Sequence, residues 1–287
     1  MADITSQMIK DLRDKTQAGM LECKKALEES NGDMELATEN LRKKGLAAAG
    51  KRAGRSAKEG LVVTKAKDND RYAIMLELNC ETDFVAKNDD FKKLAFEMMD
   101  IAEAAGVDCQ SADKLPSSAE DKIKNAISTT GENMTVGKIA QFAVPANSFG
   151  AVSSYIHSNN KLGVLVELAC ESANGQKPEL SALGKELAMQ VAAAMPLYLD
   201  SSEVPAEVVA KEKEIYLEQM KDSGKPANVL EKIVEGKVKK YYSEVCLVDQ
   251  VFIKDNAKSV TDLVKEYSTK IGEKITVKRF ARIQIGA

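Results

Sequence analysis

Tryptophan is absent from this chain of 287 residues, and histidine occurs once, as His157. One imidazole cannot furnish a multi-histidine metal site, and a Cys/His nucleophile pair would have to use that single ring. The five cysteines, Cys23, Cys80, Cys109, Cys170 and Cys246, stand singly with no CxxC spacing. Their odd number cannot pair completely within one chain, which points to a reducing compartment, the cytoplasm. Long apolar runs are missing too. The stretch 163–168 falls far short of the ~20 residues of a membrane span, and no basic region followed by an apolar run opens the chain. The expectation is a protein that stays where it is made, with no membrane partner. No GxxxxGK[ST] loop and no GxGxxG after a strand is present, so the chain is expected to bind neither nucleotide nor any other cofactor itself. Carboxylates are plentiful but fall mainly on helical faces, the pattern of solvated surface charge. Catalysis is thereby disfavoured, and binding is what remains.

What is present is the balance of a folded globular protein, with 44% hydrophobic and 30% charged residues. At about 150 residues per domain the length predicts two domains. A net charge of −3 argues against a surface built wholly for nucleic acid. The one basic stretch, 42–58, holds seven Lys or Arg residues and no acid before Glu59. It reads either as a patch for RNA or an acidic partner or as a solvated connector. No aromatic accompanies the charges to stack on bases, which favours the connector, and no direct nucleic-acid binding is expected.

Ahead of that stretch, three short helices are predicted. Ile4, Met8, Ile9 and Leu12 share one helical face, with a stop at Gly19. Leu21, Ala26 and Leu27 make a second run ended by Ser30-Asn31-Gly32, and Asp33 caps a third through Leu36, Ala37 and Leu41 to Gly45. Further on, the segment 60–82 returns as 150–172. Gly60 matches Gly150, Val62 matches Val152, and Glu77-Leu78 with Cys80-Glu81 matches Glu167-Leu168 with Cys170-Glu171. Each copy reads strand, turn, strand. A helical pattern follows each, through Phe91, Leu94, Met98 and Ile101 and through Leu180, Leu183, Leu187 and Val191. Two charged helical stretches, 206–223 and 227–243, flank Ser223-Gly224-Lys225-Pro226. Val208, Ile215, Leu230, Val234, Val238 and Tyr241 supply a thin seam for an antiparallel hairpin. Strands over 245–253 and 274–285, with a helix through Val260, Leu263, Val264 and Tyr267 between them, are expected to close the second sheet. The fold class is α+β: a three-helix module, two related α+β subdomains and a helical hairpin inserted in the second. The expected division is 1–54 for the module and basic linker, 55–145 for the first subdomain, 146–202 with 244–287 for the second, and 203–243 for the hairpin.

The segment 79–89, Asn-Cys-Glu-Thr-Asp-Phe-Val-Ala-Lys-Asn-Asp, leaves a strand and turns polar, stranding Phe84. Either the ring folds back on the following helix or it anchors in a partner's pocket. Thr82-Asp83-Phe84-Val85 resembles a signature of the elongation factor Ts family. Leu12-Arg13, Thr16, Ala18-Gly19-Met20, Cys23-Lys24-Lys25-Ala26-Leu27 and Asn31-Gly32-Asp33 are similar to that family's N-terminal signature, and Ser223-Gly224-Lys225-Pro226 with Val234-Glu235-Gly236 to its hairpin. The resemblance covers essentially the whole chain in order.

The resemblance implies a ubiquitin-associated-like N-terminal module and a guanine-nucleotide exchange factor of translation, not an enzyme. Its implied partner is elongation factor Tu, with GDP and free of nucleotide. By that resemblance Thr82, Asp83, Phe84 and Val85 disturb the partner's Mg²⁺ site, and Arg13, Met20, Leu21, Gly131 and His157 make further contacts. Self-association through the hairpin is compatible with this. Three departures are visible: Thr130 where the family can place a larger apolar residue, Val251 in place of a proline, and a chain end at Ala287 without the further helix of some members.

Overall fold

A computed structural model describes residues 3–16, 18–52, 54–106, 110–221 and 226–287. Three helices open the chain: α1 (Ser6–Thr16), α2 (Met20–Glu29) and α3 (Met34–Arg52). Thr5 caps α1 by accepting from the Met8 amide at 3.2 Å, and Asp33 caps α3 by accepting from Glu35 and Leu36 at 2.9 and 3.0 Å. Leu12, Cys23, Ala26, Leu27 and Ala37 form a small buried core, with Ile4, Met8, Ile9 and Leu41 packed around it. Contrary to the expected stop at Gly45, α3 runs on through the basic stretch to Arg52. Gly45 is a packing residue and not a cap. A Cβ there would lie 1.8 Å from Ser128 Oγ, so the missing side chain is what lets α3 close on the helix that carries Ser128.

The first repeat consists of strands β1 (Glu59–Lys67) and β2 (Tyr72–Cys80), the four-residue helix α4 (Asp83–Ala86), and α5 (Asp89–Ala104). It continues through α6 (Ser117–Thr130), which bears Ser128, into β3 (Met134–Ala143). The second repeat has β4 (Phe149–Ile156), β5 (Leu162–Cys170) and α7 (Pro178–Ala194), and ends with α10 (Val260–Ile271) and β8 (Ile275–Gln284). The sheets have the same order, β1-β2-β3 and β4-β5-β8. The α+β class expected from the sequence is what the chain adopts.

The two glycines that match in sequence do the same work. A Cβ on Gly60 would meet Leu78 O at 2.2 Å, and one on Gly150 would meet Leu168 O at 2.1 Å. In each hairpin, therefore, one strand comes too close to its neighbour's backbone for any side chain. By density of contacts the chain forms two compact units, residues 1–63, 75–141 and 283–287 in one and 64–74 with 142–282 in the other. The tip of the first hairpin belongs to the second unit, where Asp70 O accepts from the Val152 amide at 2.6 Å and the Asp70 carboxylate accepts from Ser181 Oγ at 2.7 Å.

Between α7 and α10 the second repeat carries α8 (Ala206–Gln219) and α9 (Ala227–Val245), begun by Pro205 and Pro226. Residues 223–225 of the expected turn, like Cys109, lie outside the described residues. The seam is thinner than its spacing predicts: Val234 and Val238 are buried, but no residue of α8 is, and Ile215, expected in the seam, is 39% exposed. The expected strand over 245–253 does not form. Leu247–Asp249 is a 3-10 turn, Cys246 makes only an isolated bridge to Tyr198, and β6 (Val251–Phe252) pairs with β7 (Asp255–Ser259) in a separate two-stranded sheet. The reason is Gln250, a buried side chain donating to Ala194 O and Glu244 O and accepting from Gln190 Nε2. Satisfying that amide bends the chain away from the sheet, and β8 alone takes the third position.

Candidate functional site

Beyond Cys80, the last residue of β2, the chain must turn sharply. Thr82 is extended (φ −125°, ψ 154°) and caps α4, its hydroxyl oxygen accepting from the Val85 amide at 3.4 Å. The same hydroxyl donates to Glu132 Oε1 at 2.7 Å, and the Thr82 amide donates to Glu132 Oε2 at 3.0 Å. A second tie runs alongside, with the Asn133 amide donating to Glu81 Oε1 at 2.7 Å and Asn133 Nδ2 to Arg55 O at 2.7 Å. Glu132 is delivered there by Gly131, which ends α6 at φ 77°, a conformation glycine adopts without strain.

Held in this way, α4 turns Ala86 inward and Phe84 outward. Ala86 is buried, Asp83 and Val85 are half-buried, and the Phe84 ring is 82% exposed. The ring does not fold back on α5. Asp83 is paired with Lys87 one turn on, at 2.6 Å. A cleft of about 660 Å³ adjoins α4, lined among others by Val85, Asn88, Phe91, Leu94, Thr130 and Met134. Cys80 lies beneath, its thiol donating to Thr82 O at 3.1 Å. Burial, reinforced by the charge of Glu132, pushes that thiol up to about 12, so it is a packing residue and not a nucleophile.

The ion pair described at the turn, Asp83 with Lys87, is a surface i,i+4 pair. The arrangement offers a large apolar group in water on a short, braced support, the form of an interface anchor. A family model for elongation factor Ts matches residues 81–287, beginning at this turn. The elongation factor Ts of Desulfovibrio desulfuricans is 43% identical over 289 residues, taking in the whole of both chains. That of Prosthecochloris aestuarii is 44% identical over 298 residues, again the whole of both. That of Clostridium perfringens is 43% identical over 288 residues, or 99% of this chain and 93% of its own. The chain belongs to the elongation factor Ts family. Members are translation elongation factors, and this chain is one.

The residues singled out from the sequence fall in several places. Thr82, Asp83, Phe84 and Val85 share one capped turn, and Gly131 precedes the glutamate that braces it. Arg13 is exposed near the end of α1, while Met20 and Leu21, 52% and 75% exposed, open α2. His157 belongs to the second unit, exposed at the β4–β5 turn, where its Nδ1 is 3.1 Å from Tyr155 Oη. No described helix is long and apolar enough to cross a membrane.

The residue that the sequence reading missed is Glu132. A signal for it exists, because Gly131-Glu132-Asn133-Met134-Thr135-Val136 returns as Gly272-Glu273-Lys274-Ile275-Thr276-Val277. Glu273 grips Ser172 as Glu132 grips Thr82, through the Ser172 amide at 3.0 Å and its hydroxyl. The repeat thus extends to the helix, glycine and third strand of each sheet. The inserted hairpin separates the halves of the second copy and hides the match at a fixed spacing.

Proposed function

We propose that the protein is the guanine-nucleotide exchange factor for elongation factor Tu, binding it with GDP and, more tightly, free of nucleotide. The observation that carries this reading is Phe84, an aromatic ring left 82% in water on a helix whose own turn is tied down on two sides. Burying such a ring in a partner is worth about 1.5–3 kcal/mol of transfer free energy. That energy is a contribution the factor can direct toward the nucleotide-free form of the partner.

Exchange needs no covalent step. By linkage, a protein that binds the nucleotide-free partner more tightly than the GDP form weakens GDP by the same factor. In this reading Phe84 wedges into the partner's nucleotide domain, and Val85 extends the apolar contact. Asp83, released from Lys87, disfavours the nearby diphosphate and its Mg²⁺, while Thr82 holds the turn. Arg13, Met20 and Leu21 supply a second contact from the helical module, and Gly131 and His157 lesser ones. The segments 1–54, 55–145, 146–202 with 244–287, and 203–243 divide the work as module, two core subdomains and hairpin. The hairpin, with Leu217 and Val229 exposed, is a surface for self-association. The setting is the cytoplasm, and the protein is not an enzyme.

Stopped-flow release of fluorescent GDP from elongation factor Tu tests the central claim. Phe84→Ala should slow stimulated release by roughly 30-fold, the ~2 kcal/mol of an interface anchor, with urea unfolding of the free protein unchanged. An unchanged release rate rejects the reading. Light scattering of the full chain against a hairpin deletion tests self-association separately, with a loss of mass in the deletion as the expected result.

A further inference from the structure

We propose that Glu132 is a positioning residue for Phe84, fixing through Thr82 the direction in which α4 offers the ring. The inference rests on the function proposed above and adds to it the device that orients the anchor. An exposed ring has no pocket of its own to hold it, so its direction is set by the backbone beneath. A four-residue helix cannot hold itself, because forming a first turn fixes more freedom than one hydrogen bond repays. The support must come from outside α4, and Glu132 provides it at the residue where the helix begins. One carboxylate oxygen takes the Thr82 amide and the other takes its hydroxyl, at 3.0 and 2.7 Å. The hydroxyl, its proton committed to Glu132, keeps its lone pairs toward the Val85 amide. The two functions of that hydroxyl link Glu132 directly to the turn bearing the ring.

The second repeat separates scaffold from function. Glu273 holds Ser172 by the same two groups, and Ser172 caps the following 3-10 turn by accepting from the Asn174 amide at 3.2 Å. Where Phe84 and Val85 stand in the first copy, the second has Asn174 and Gly175. The glutamate is therefore a general brace of this strand exit, and in the first repeat the brace has a ring to aim. Pre-ordering that ring lowers the freedom lost when a partner closes on it.

A double-mutant cycle reads this directly. Fluorescent-GDP release from elongation factor Tu is measured at saturating factor with wild type, Glu132→Ala, Phe84→Ala and the double variant, and urea unfolding is measured on all four. Glu132→Ala should slow release about tenfold, the factor that ~1.4 kcal/mol represents. In the Phe84→Ala background it should slow release no further, whereas its loss of stability should be the same in both backgrounds. Should Glu132→Ala fail to fold, Glu132→Gln, which retains one acceptor oxygen, carries the cycle with a smaller factor. An equal slowing with and without the ring overturns the inference, as does normal release by Glu132→Ala beside a slow Phe84→Ala. An unchanged Phe84→Ala rate removes the parent reading instead, and the two failures are told apart by that single variant.

Discussion

In the first repeat Thr82 is followed by Asp83, Phe84 and Val85; in the second, Ser172 is followed by Ala173, Asn174 and Gly175. Both exits leave a strand that ends in a cysteine whose thiol donates to the carbonyl of the clamped residue, and both are gripped by a glutamate placed by a left-handed glycine. After that they diverge. A Cβ on Gly175 would lie 2.6 Å from both Cys170 Cβ and Glu273 Oε2, so the second exit folds flat over its own brace. The first forms a helical turn in which the side chains clear the brace and Phe84 stands free. A shared scaffold demands the glutamate and the hydroxyl in both copies, and it makes no demand for an aromatic ring. What the second copy does without is the best internal measure of what the first copy adds.

The largest effect expected from this comparison falls on what the copies share. Gly60→Ala puts a methyl against Leu78 O and holds it at φ 148°, a backbone region hostile to L side chains. Gly150→Ala meets Leu168 O at nearly the same distance without a positive φ. Chemical denaturation should show Gly60→Ala less stable than wild type by about 3 kcal/mol or more, and Gly150→Ala by about 2. Equal losses would show that the crowding of the strands, rather than φ, sets the cost.

Next comes the exchange that turns one copy into the other. Phe84→Asn installs the second repeat's residue and should cost roughly 30-fold in stimulated GDP release. Being a change at a ring 82% exposed, it should move stability by less than ~0.5 kcal/mol. If stability falls with activity instead, the ring has a share in the fold, and the contrast between the repeats is one of packing.

Much of this was legible in the sequence, for identifiable reasons. Helix starts announced themselves through Asp33 and Pro226, and the strand exits through matched Cys-Glu-hydroxyl triplets. The glycines were ambiguous. Gly19 precedes a helix and Gly272 ends one at φ 82°, but Gly45, read as a stop, sits mid-helix because Ser128 crowds it. Tertiary contact, not local propensity, decided that position. Gln250 misled in the same way, since alternation along 245–253 does not reveal a buried amide with three polar neighbours to serve. For Phe84 itself, composition left inward and outward equally open. The answer depended on Glu132, which holds Thr82 from fifty residues further along the chain and is legible only beside its counterpart Glu273.

The smallest effect concerns whether a brace of this kind is ionic or merely geometric, and Glu273 lets it be asked away from the ring. The Ser172 hydroxyl, ahead of the opposing cost of burial, holds the Glu273 carboxyl below the usual range for a glutamate. A carboxyl whose folded value lies below its unfolded one stabilises the fold above the unfolded value of about 4.3 and loses that contribution as pH falls through the folded one. Wild type should therefore exceed Glu273→Gln in stability by a margin that is constant near neutrality and shrinks as pH falls below about 4.3. Urea midpoints at stepped pH measure it. A margin that persists undiminished through that acid range would mean that the side chain acts through its shape and lone pairs, which a neutral carboxyl still offers.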